Sequence, residues 1–488
     1  MPSGPLWPAF AIRPSVAGET CGPPGAAALY GGHVPLKVIK FGGSSLADAG
    51  QFKKVRAIVV SDPARRIVVV SAPGKRSKDD VKVTDLLIQC ARMRLTGRDA
   101  GGEISRVIGR YEAIADDLGL APDIAQGFYK DLCDRLEGDR SHPERFEDGI
   151  KAVGELYCAQ LMAAYLNHSG TPAEFVSPQD GGLLVSEEYG KAQVLEEAYA
   201  RLAQLRNRTK VVVFPGFYGC SREGRVVTFS RGGSDLTGAI LAAAVGAKVY
   251  ENFTDVNGIA AADPRIQKDA ALIRELTYEE LRELSYGGFS VFHEEAMLPV
   301  FEAGIPINVR NTNNPDHPGT WVVNSRQETS HCLVGVACDT GFCSIFVEKY
   351  LMNREKGFGR RLLQIIEEED LSFDHVPSGV DHITVILKQN QLSEKMTDRI
   401  RERILRELGA DTVDIERGLS LLSIVGVGMR KKMGLASRIT TALASAHVNI
   451  EMIIQGPSEL SMIIGVTDAD GPAAVRAIYD EFFGKGQK

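Results

Sequence analysis

No apolar run in the 488 residues reaches membrane-spanning length, so a soluble protein with no membrane partner is expected. No lysine- or arginine-rich run makes a basic stripe, and the formal net charge is −7; nucleic acid is therefore not an expected partner. The eight cysteines are scattered, none forms C-x-x-C, and the closest pair is Cys338 and Cys343 on expected strands. That pattern favours buried free thiols over a zinc site or a disulfide, and a reducing, cytoplasmic setting; no metal held by protein ligands alone is expected. Residues 1–36 lack the basic start and apolar core of a secretory signal and show no periodicity, so they read as a disordered extension. What is there is ordinary for a folded chain: 44% apolar and 24% charged residues. The length exceeds what one core holds, and two or three domains are expected.

The most informative stretch is VIKFGGSS at 38–45. An apolar run ends in Lys40, then Phe41, Gly42, Gly43, Ser44 and Ser45, and a helical pattern follows. Strand, lysine, paired glycines and helix form the layout of a polyphosphate cradle. Glycines let backbone N–H groups approach an anion, and a helix start adds partial positive charge. Lys40 supplies a full charge where a γ-phosphoryl group needs one. The same spacing is also compatible with a plain loop.

From Leu36 to about Gly219, β-rich runs alternate with helical patterns. Strands are expected at Lys37–Phe41, Ile67–Ser71, Ala173–Val176 and Val211–Pro215. Helices are expected at Ala47–Ser61, Val83–Thr96, Gly101–Leu118, Glu144–Asn167 and Glu187–Arg206. Near-continuous apolar strands between helices imply a parallel sheet buried on both faces, an αβα sandwich. Ligands of such sheets sit beyond the carboxyl ends of the strands, where loops 40–45, 72–77 and 216–219 fall.

A second strand–glycine–helix turn follows at RVVTFSRGGSD (225–235), with Arg231 before the glycines and Asp235 at the helix start. Asp235 also reads as a helix N-cap. A further strand, Lys248–Thr254, ends in TDVNGI (254–259) and leads to ADPR (262–265). Asp255 there suits a nucleotide, its metal, or merely a turn.

Beyond about Asp339 the composition changes and a repeat appears. A shift of 77 residues lays Cys343–Glu348 on Ser420–Val425, Gly357 on Gly434, Arg361 on Arg438 and Val385 on Met462. A fixed period marks a duplicated supersecondary unit, and its order, βαββαβ, is ferredoxin-like.

Together VIKFGGSS, SRGGSDLTG (230–238), TDVNGI and ADPR resemble the amino-acid kinase fold, and the aspartate kinases in particular. The repeat is similar to the paired ACT modules of that family, with VNIEMIIQGPSEL (448–460) close to the second ACT signature. The resemblance implies a catalytic domain at 37–327 and paired ACT regulatory domains at 328–488, with units at about 341–416 and 417–488. It implies a monofunctional enzyme that transfers the γ-phosphoryl of ATP, with Mg2+, to the side-chain carboxylate of L-aspartate. The product, 4-phospho-L-aspartate, would open lysine, threonine and methionine biosynthesis.

By the same resemblance Lys40, Phe41, Gly42 and Gly43 would hold phosphoryl oxygens, and Asp235 would orient Lys40 or the reacting groups. Arg231 would meet an aspartate carboxylate with its planar fork, helped by Ser234. Glu155, in an almost wholly apolar helix, would bind the α-ammonium; Thr84 falls at a family substrate position, although it also reads as a helix N-cap, and Phe217 would line the substrate loop. Thr254, Asp255 and Arg265 fall on the nucleotide side. Two positions depart from the family pattern: Ala260 stands where a tyrosine is common, and Ser290 where a lysine is common. His293 reads as structural.

The ACT modules imply an effector site at Met352, Asn353, Gly357 and Phe358, with Asp374 and Ser378 on the next strands. Lysine is the expected inhibitor, threonine the runner-up, and a homodimer or higher oligomer through the ACT modules is expected. Two other readings stand beside this one, a kinase of the same fold with another substrate and a catalytically weak ACT sensor.

Overall fold

The computed structural model describes residues 35–230, 232–289, 294–326 and 332–484. The extension before residue 35, Arg231, Ser290 and His293, all carrying expectations above, lie outside the described residues.

The first part opens with β1 (Lys37–Phe41), α1 (Ala49–Val60), β2 (Arg65–Val70), α2 (Val83–Leu95), α3 (Gly101–Asp117) and α4 (Asp123–Leu136). Next come α5 (Pro143–Lys151), α6 (Val153–His168), β3 (Ala173–Phe175), α7 (Pro178–Gly181), α8 (Glu196–Leu202), β4 (Val211–Pro215), β5 (Tyr218–Cys220) and β6 (Val226–Thr228). Then follow α9 (Gly233–Ala244), β7 (Val249–Thr254), β8 (Glu275–Thr277), α10 (Tyr278–Tyr286), α11 (Leu298–Glu302), β9 (Ile307–Asn311) and β10 (Thr320–Val323).

The sheet runs in the order β3-β4-β2-β1-β7-β9-β10-β8. Every pair is parallel except β9 with β10. Strand β1 sits inside it because alternate residues find a core on each side. Ile39 and Phe41 pack with α1, α2, α3 and α6, whereas Val38 joins the core under α8 and α9. This is the expected αβα sandwich with a mainly parallel sheet.

Three expected helices differ, each for a local reason. The one at 47–61 begins as a short 3-10 turn, Gly43–Leu46, before the Asp48 side chain caps α1. The one at 144–167 is two helices meeting at Ala152. Buried Asp148 ties the first to the Gly190 and Thr228 amides, while Gly154 seats the second against Ala72. The one at 187–206 is helical only from Glu196. Gly190, at φ 77°, turns the preceding segment back so that Ser186 N–H meets the Gln193 carbonyl. Helix α4 was not expected; Gly127 lowers its intrinsic propensity, and its stripe Ala125, Phe128, Leu132 and Leu136 is buried instead.

The second part comprises β11 (Gly335–Glu348), α12 (Phe358–Glu368), β12 (His382–Lys388), α13 (Glu394–Leu408), β13 (Thr412–Val425), α14 (Leu435–Ser445), β14 (Met452–Gln455), β15 (Ser461–Thr467) and α15 (Gly471–Phe483). The 77-residue shift carries β11 onto β13 and α12 onto α14 end to end. Both helices start after a left-handed glycine, Gly357 and Gly434. All five strands form one antiparallel sheet, β12-β11-β13-β15-β14. The two long strands turn at equivalent left-handed glycines, Gly341 and Gly418. The first half of β11, Gly335–Asp339, pairs with the second half of β13 and so belongs to the second unit.

Helix α10 joins the two parts. Glu280, fully buried, caps its own helix and takes two hydrogen bonds from Arg326 and one from the Val427 amide. Glu279 pairs with Arg430, Glu283 accepts from the Ser461 hydroxyl, and the Tyr286 hydroxyl donates to Asp374.

Candidate active site

Strands β4, β2, β1 and β7 are neighbours and parallel, so their carboxyl ends share one edge of the sheet. The loops there touch backbone to backbone. Gly74 N–H donates to the Gly43 carbonyl at 2.8 Å. A Cβ on Gly43 would stand 2.9 Å from the Ala72 carbonyl, and one on Gly74 2.6 Å from Gly43 itself. Only two glycines permit this approach.

At this edge the two glycine turns meet. Lys40 Nζ lies 2.6 Å from Asp235 Oδ1, the lysine buried and the aspartate's side chain 17% exposed. Asp235 is not the cap of α9: the N-cap is Gly232, left-handed at φ 76°, and Asp235 sits in the first turn. Ser234 beside it is buried. A Cβ on Gly216 would come within 2.7 Å of Ser234, which brings the β4 loop onto the start of α9.

The cradle is narrower than its sequence implies. The Gly42 N–H donates to the Phe253 carbonyl at 3.1 Å, and so is not available to a phosphate. Phe41 turns its ring into the core, stacked on Phe253 at 5.0 Å, and offers only its peptide. The Gly43 and Ser44 amides lead the 3-10 turn Gly43–Leu46, where first-turn N–H groups have no partner within the helix.

Glu155 is in the first turn of α6 and buried. Its Oε1 accepts the Ala72 N–H at 3.0 Å, in the loop that follows β2. Its Oε2 is buried without a hydrogen-bond partner among the described residues. Burial pushes its pKa up to about 8, only partly offset by the Ala72 amide. A buried carboxylate oxygen left unpaired is costly unless a ligand completes it.

Thr84 is inside α2, whose N-cap is Lys82, so the N-cap reading of Thr84 does not hold. Phe217 follows β4 in a left-handed conformation, φ 77°, with its N–H on the Thr237 hydroxyl and its carbonyl accepting Phe229 N–H. Such a backbone disfavours a bulky residue and marks a held turn. On the nucleotide side, Thr254 ends β7 and its hydroxyl meets Asp255 at 3.2 Å. Asp255 is exposed. The Arg265 guanidinium is exposed and folded back on Asp263, Nε to Oδ2 at 2.9 Å. Ala260 pairs with Leu272 in an isolated bridge. Among the described residues no group of three or more His, Cys, Asp or Glu is arranged to hold a metal.

Of the expected effector residues, Met352 and Phe358 bury their side chains in the first unit's core. Asn353, Gly357 and Ser378 are exposed. Asp374 is engaged by the Tyr286 hydroxyl at 3.0 Å, a partner from the other part of the chain.

One contact was not anticipated. Asn252 Nδ2 donates to Asp235 Oδ1 at 2.7 Å, the same oxygen that Lys40 meets. The signal was present: VYENFT places two polar residues in a strand buried on both faces.

Comparison with known proteins agrees with this geometry. The profile of the amino acid kinase family matches residues 35–311, and an ACT domain profile matches residues 422–482. The chain is 52% identical to aspartokinase 3 of Bacillus subtilis, over 92% of this chain and 99% of that protein. The crystal structure of Clostridium acetobutylicum aspartate kinase superposes with a TM-score of 0.83 at 40% identity, covering 92% of this chain and all of that one. Escherichia coli aspartokinase III in complex with aspartate and ADP superposes with a TM-score of 0.74 at 25% identity, with the same coverage.

Proposed function

Because the chain belongs to the aspartokinase family, we propose that the edge around Lys40 and Asp235 carries out its phosphoryl transfer from ATP to the side-chain carboxylate of L-aspartate. The observation that carries this assignment is the 2.6 Å contact joining two glycine turns almost two hundred residues apart.

The nucleophile is already an ionised carboxylate, so no general base is needed and charge management dominates. Lys40 neutralises oxygens on the transferring group from a buried position, where a charge acts more strongly than in water. Asp235 holds the ammonium of Lys40 in place. The Gly43 and Ser44 amides add neutral donors. Magnesium carried with the nucleotide supplies further charge neutralisation, and the exposed Asp255 is our candidate to hold it. Glu155 selects for an amino acid: its unpartnered Oε2 suits the α-ammonium. Arg231 is assigned the aspartate carboxylate on sequence grounds, with Ser234, Thr84 and Phe217 around it. Thr254 and Arg265 are assigned to the nucleotide, Arg265 after release from Asp263.

We further assign catalysis to residues 37–327 and regulation to 328–488, in a cytoplasmic homodimer inhibited by lysine, with threonine as runner-up. No helix among the described residues is long and apolar enough to cross a membrane. The effector site would use the helix start at Gly357 and the carboxylate of Asp374. Asp374→Ala is expected to abolish lysine inhibition, measured as ADP release against lysine concentration. Tyr286→Phe, which removes only the hydroxyl on Asp374, should retain inhibition. If both variants lose it alike, Asp374 works as an interdomain contact and not as an ammonium ligand.

ADP release with aspartate and then glutamate, each with and without lysine and threonine, tests the whole assignment. Turnover of aspartate alone supports it; no turnover of either would favour a sensor.

A further inference from the structure

Strand β7 carries polar residues on both faces, and the two faces do different things. On the α1 side Glu251 is buried and ion-paired with Arg65, Arg310 and Lys37, an internal anchor for the sheet. On the α9 side Tyr250 and Asn252, two apart and so on one face, both reach Asp235. The Tyr250 hydroxyl donates to the Asp235 carbonyl at 3.0 Å, and the Asn252 amide to its carboxylate at 2.7 Å. Gly238 makes the approach of α9 to β7 possible: a Cβ there would lie 2.5 Å from the Tyr250 hydroxyl. Asn252 is 4% exposed and is the direct register partner of Lys40 on β1.

We infer that Asn252 is a positioning residue for phosphoryl transfer, fixing the Asp235 carboxylate so that its Oδ1 holds the Lys40 ammonium at the reacting edge. The inference rests on the assignment of Lys40 and Asp235 made above. A carboxylate with one donor can rotate about its terminal torsion; a second donor on the same oxygen removes that freedom. Asn suits the place because it donates without charge. A lysine there would compete for Asp235, and a carboxylate would compete for Lys40. Among the described residues the charged groups facing the amide are Lys40 from β1 and Asp235 from α9; Glu251 and its arginines lie behind the strand.

The test compares Asn252→Leu and Asn252→Asp with the parent and with Lys40→Ala, by steady-state ADP release over a pH series. Asn252→Leu should lower kcat by about 10- to 100-fold, the worth of a hydrogen bond to a charged group, with the KM for aspartate nearly unchanged. Asn252→Asp puts two carboxylates on one ammonium and raises the pKa of the pair. While protonated it donates as the amide does, so kcat should fall as pH rises through that value, a limb the parent lacks. Should Asn252→Leu fail to fold, judged by its thermal transition, the Asn252→Asp profile decides alone. Parallel profiles for Asn252→Asp and the parent, or a folded Asn252→Leu within twofold of the parent kcat, overturn the inference. If Lys40→Ala keeps its activity, the underlying site assignment fails instead.

Discussion

Lys40→Ala is expected to reduce kcat for aspartate phosphorylation at least about 10³-fold, the scale of losing a preorganised charge at a transferring phosphoryl group. The side chain is buried at the end of a central strand, so little water can replace the lost ammonium. The change also removes the ammonium from Asp235, which among the described residues keeps the Asn252 amide on its Oδ1. An unpaired carboxylate there would repel the phosphates it normally helps to organise. Lys40→Arg should rescue poorly. The buried ammonium is a compact point charge 2.6 Å from Asp235, and a longer, planar guanidinium does not reproduce that geometry. Single-turnover ADP formation at saturating ATP and aspartate measures the step directly. A kcat within tenfold of the parent would remove Lys40 from the chemistry.

Glu155→Gln should be nearly as severe, but on aspartate and not on ATP. Losing the charge opposite an α-ammonium is expected to lower kcat/KM for aspartate by about 10²-fold or more, with ATP affinity unchanged. The pH behaviour separates this from a packing defect. In the unliganded protein the Glu155 pKa lies near 8, above its ordinary carboxyl value, because burial opposes ionisation. The folded state therefore keeps a proton that the unfolded chain gives up. Stability from this group is full below the ordinary carboxyl range and is lost as pH rises through about 8. Glu155→Gln removes that loss, so above pH 8 the unliganded variant should melt higher than the parent. Aspartate brings the missing positive charge and drives Glu155 to ionise, so binding should release a proton below pH 8. Calorimetry in buffers of different ionisation enthalpy reads that proton. No release, together with an unchanged kcat/KM, would reject Glu155 as the ammonium ligand.

The parts of this site visible in the sequence were those carried by short local patterns. Lys40 and Asp235 each sit beside paired glycines, and a charge at a glycine turn is legible one segment at a time. Glu155 stood out because a lone carboxylate in an apolar helix demands a partner. The repeat was legible because both units kept their glycine and strand spacing through β11 and β13. What was hidden depended on pairing between distant segments. Asn252 acquires its role only once β7 is known to lie beside β1 and beneath α9. The Gly42 amide is lost to Phe253 through that same pairing. Asp374 looked like a free ligand because Tyr286, its partner, is 88 residues away on another part of the chain. The first part of the helix expected at 187–206 is missing for the opposite reason, since its composition is helical and one left-handed glycine, Gly190, outweighs it.

The shared strands of the second part bear on how its two units could be handled or inherited. Gly335–Asp339 precedes the first repeat in sequence yet flanks the second in space. A fragment starting at residue 417 would strip that neighbour from β13 and leave a bare apolar edge, inviting association with other chains. Neither repeat can be exchanged for a foreign copy by cutting at the sequence boundary alone. Grafting would have to move the whole interleaved pair, with α10 as its splice to the kinase part.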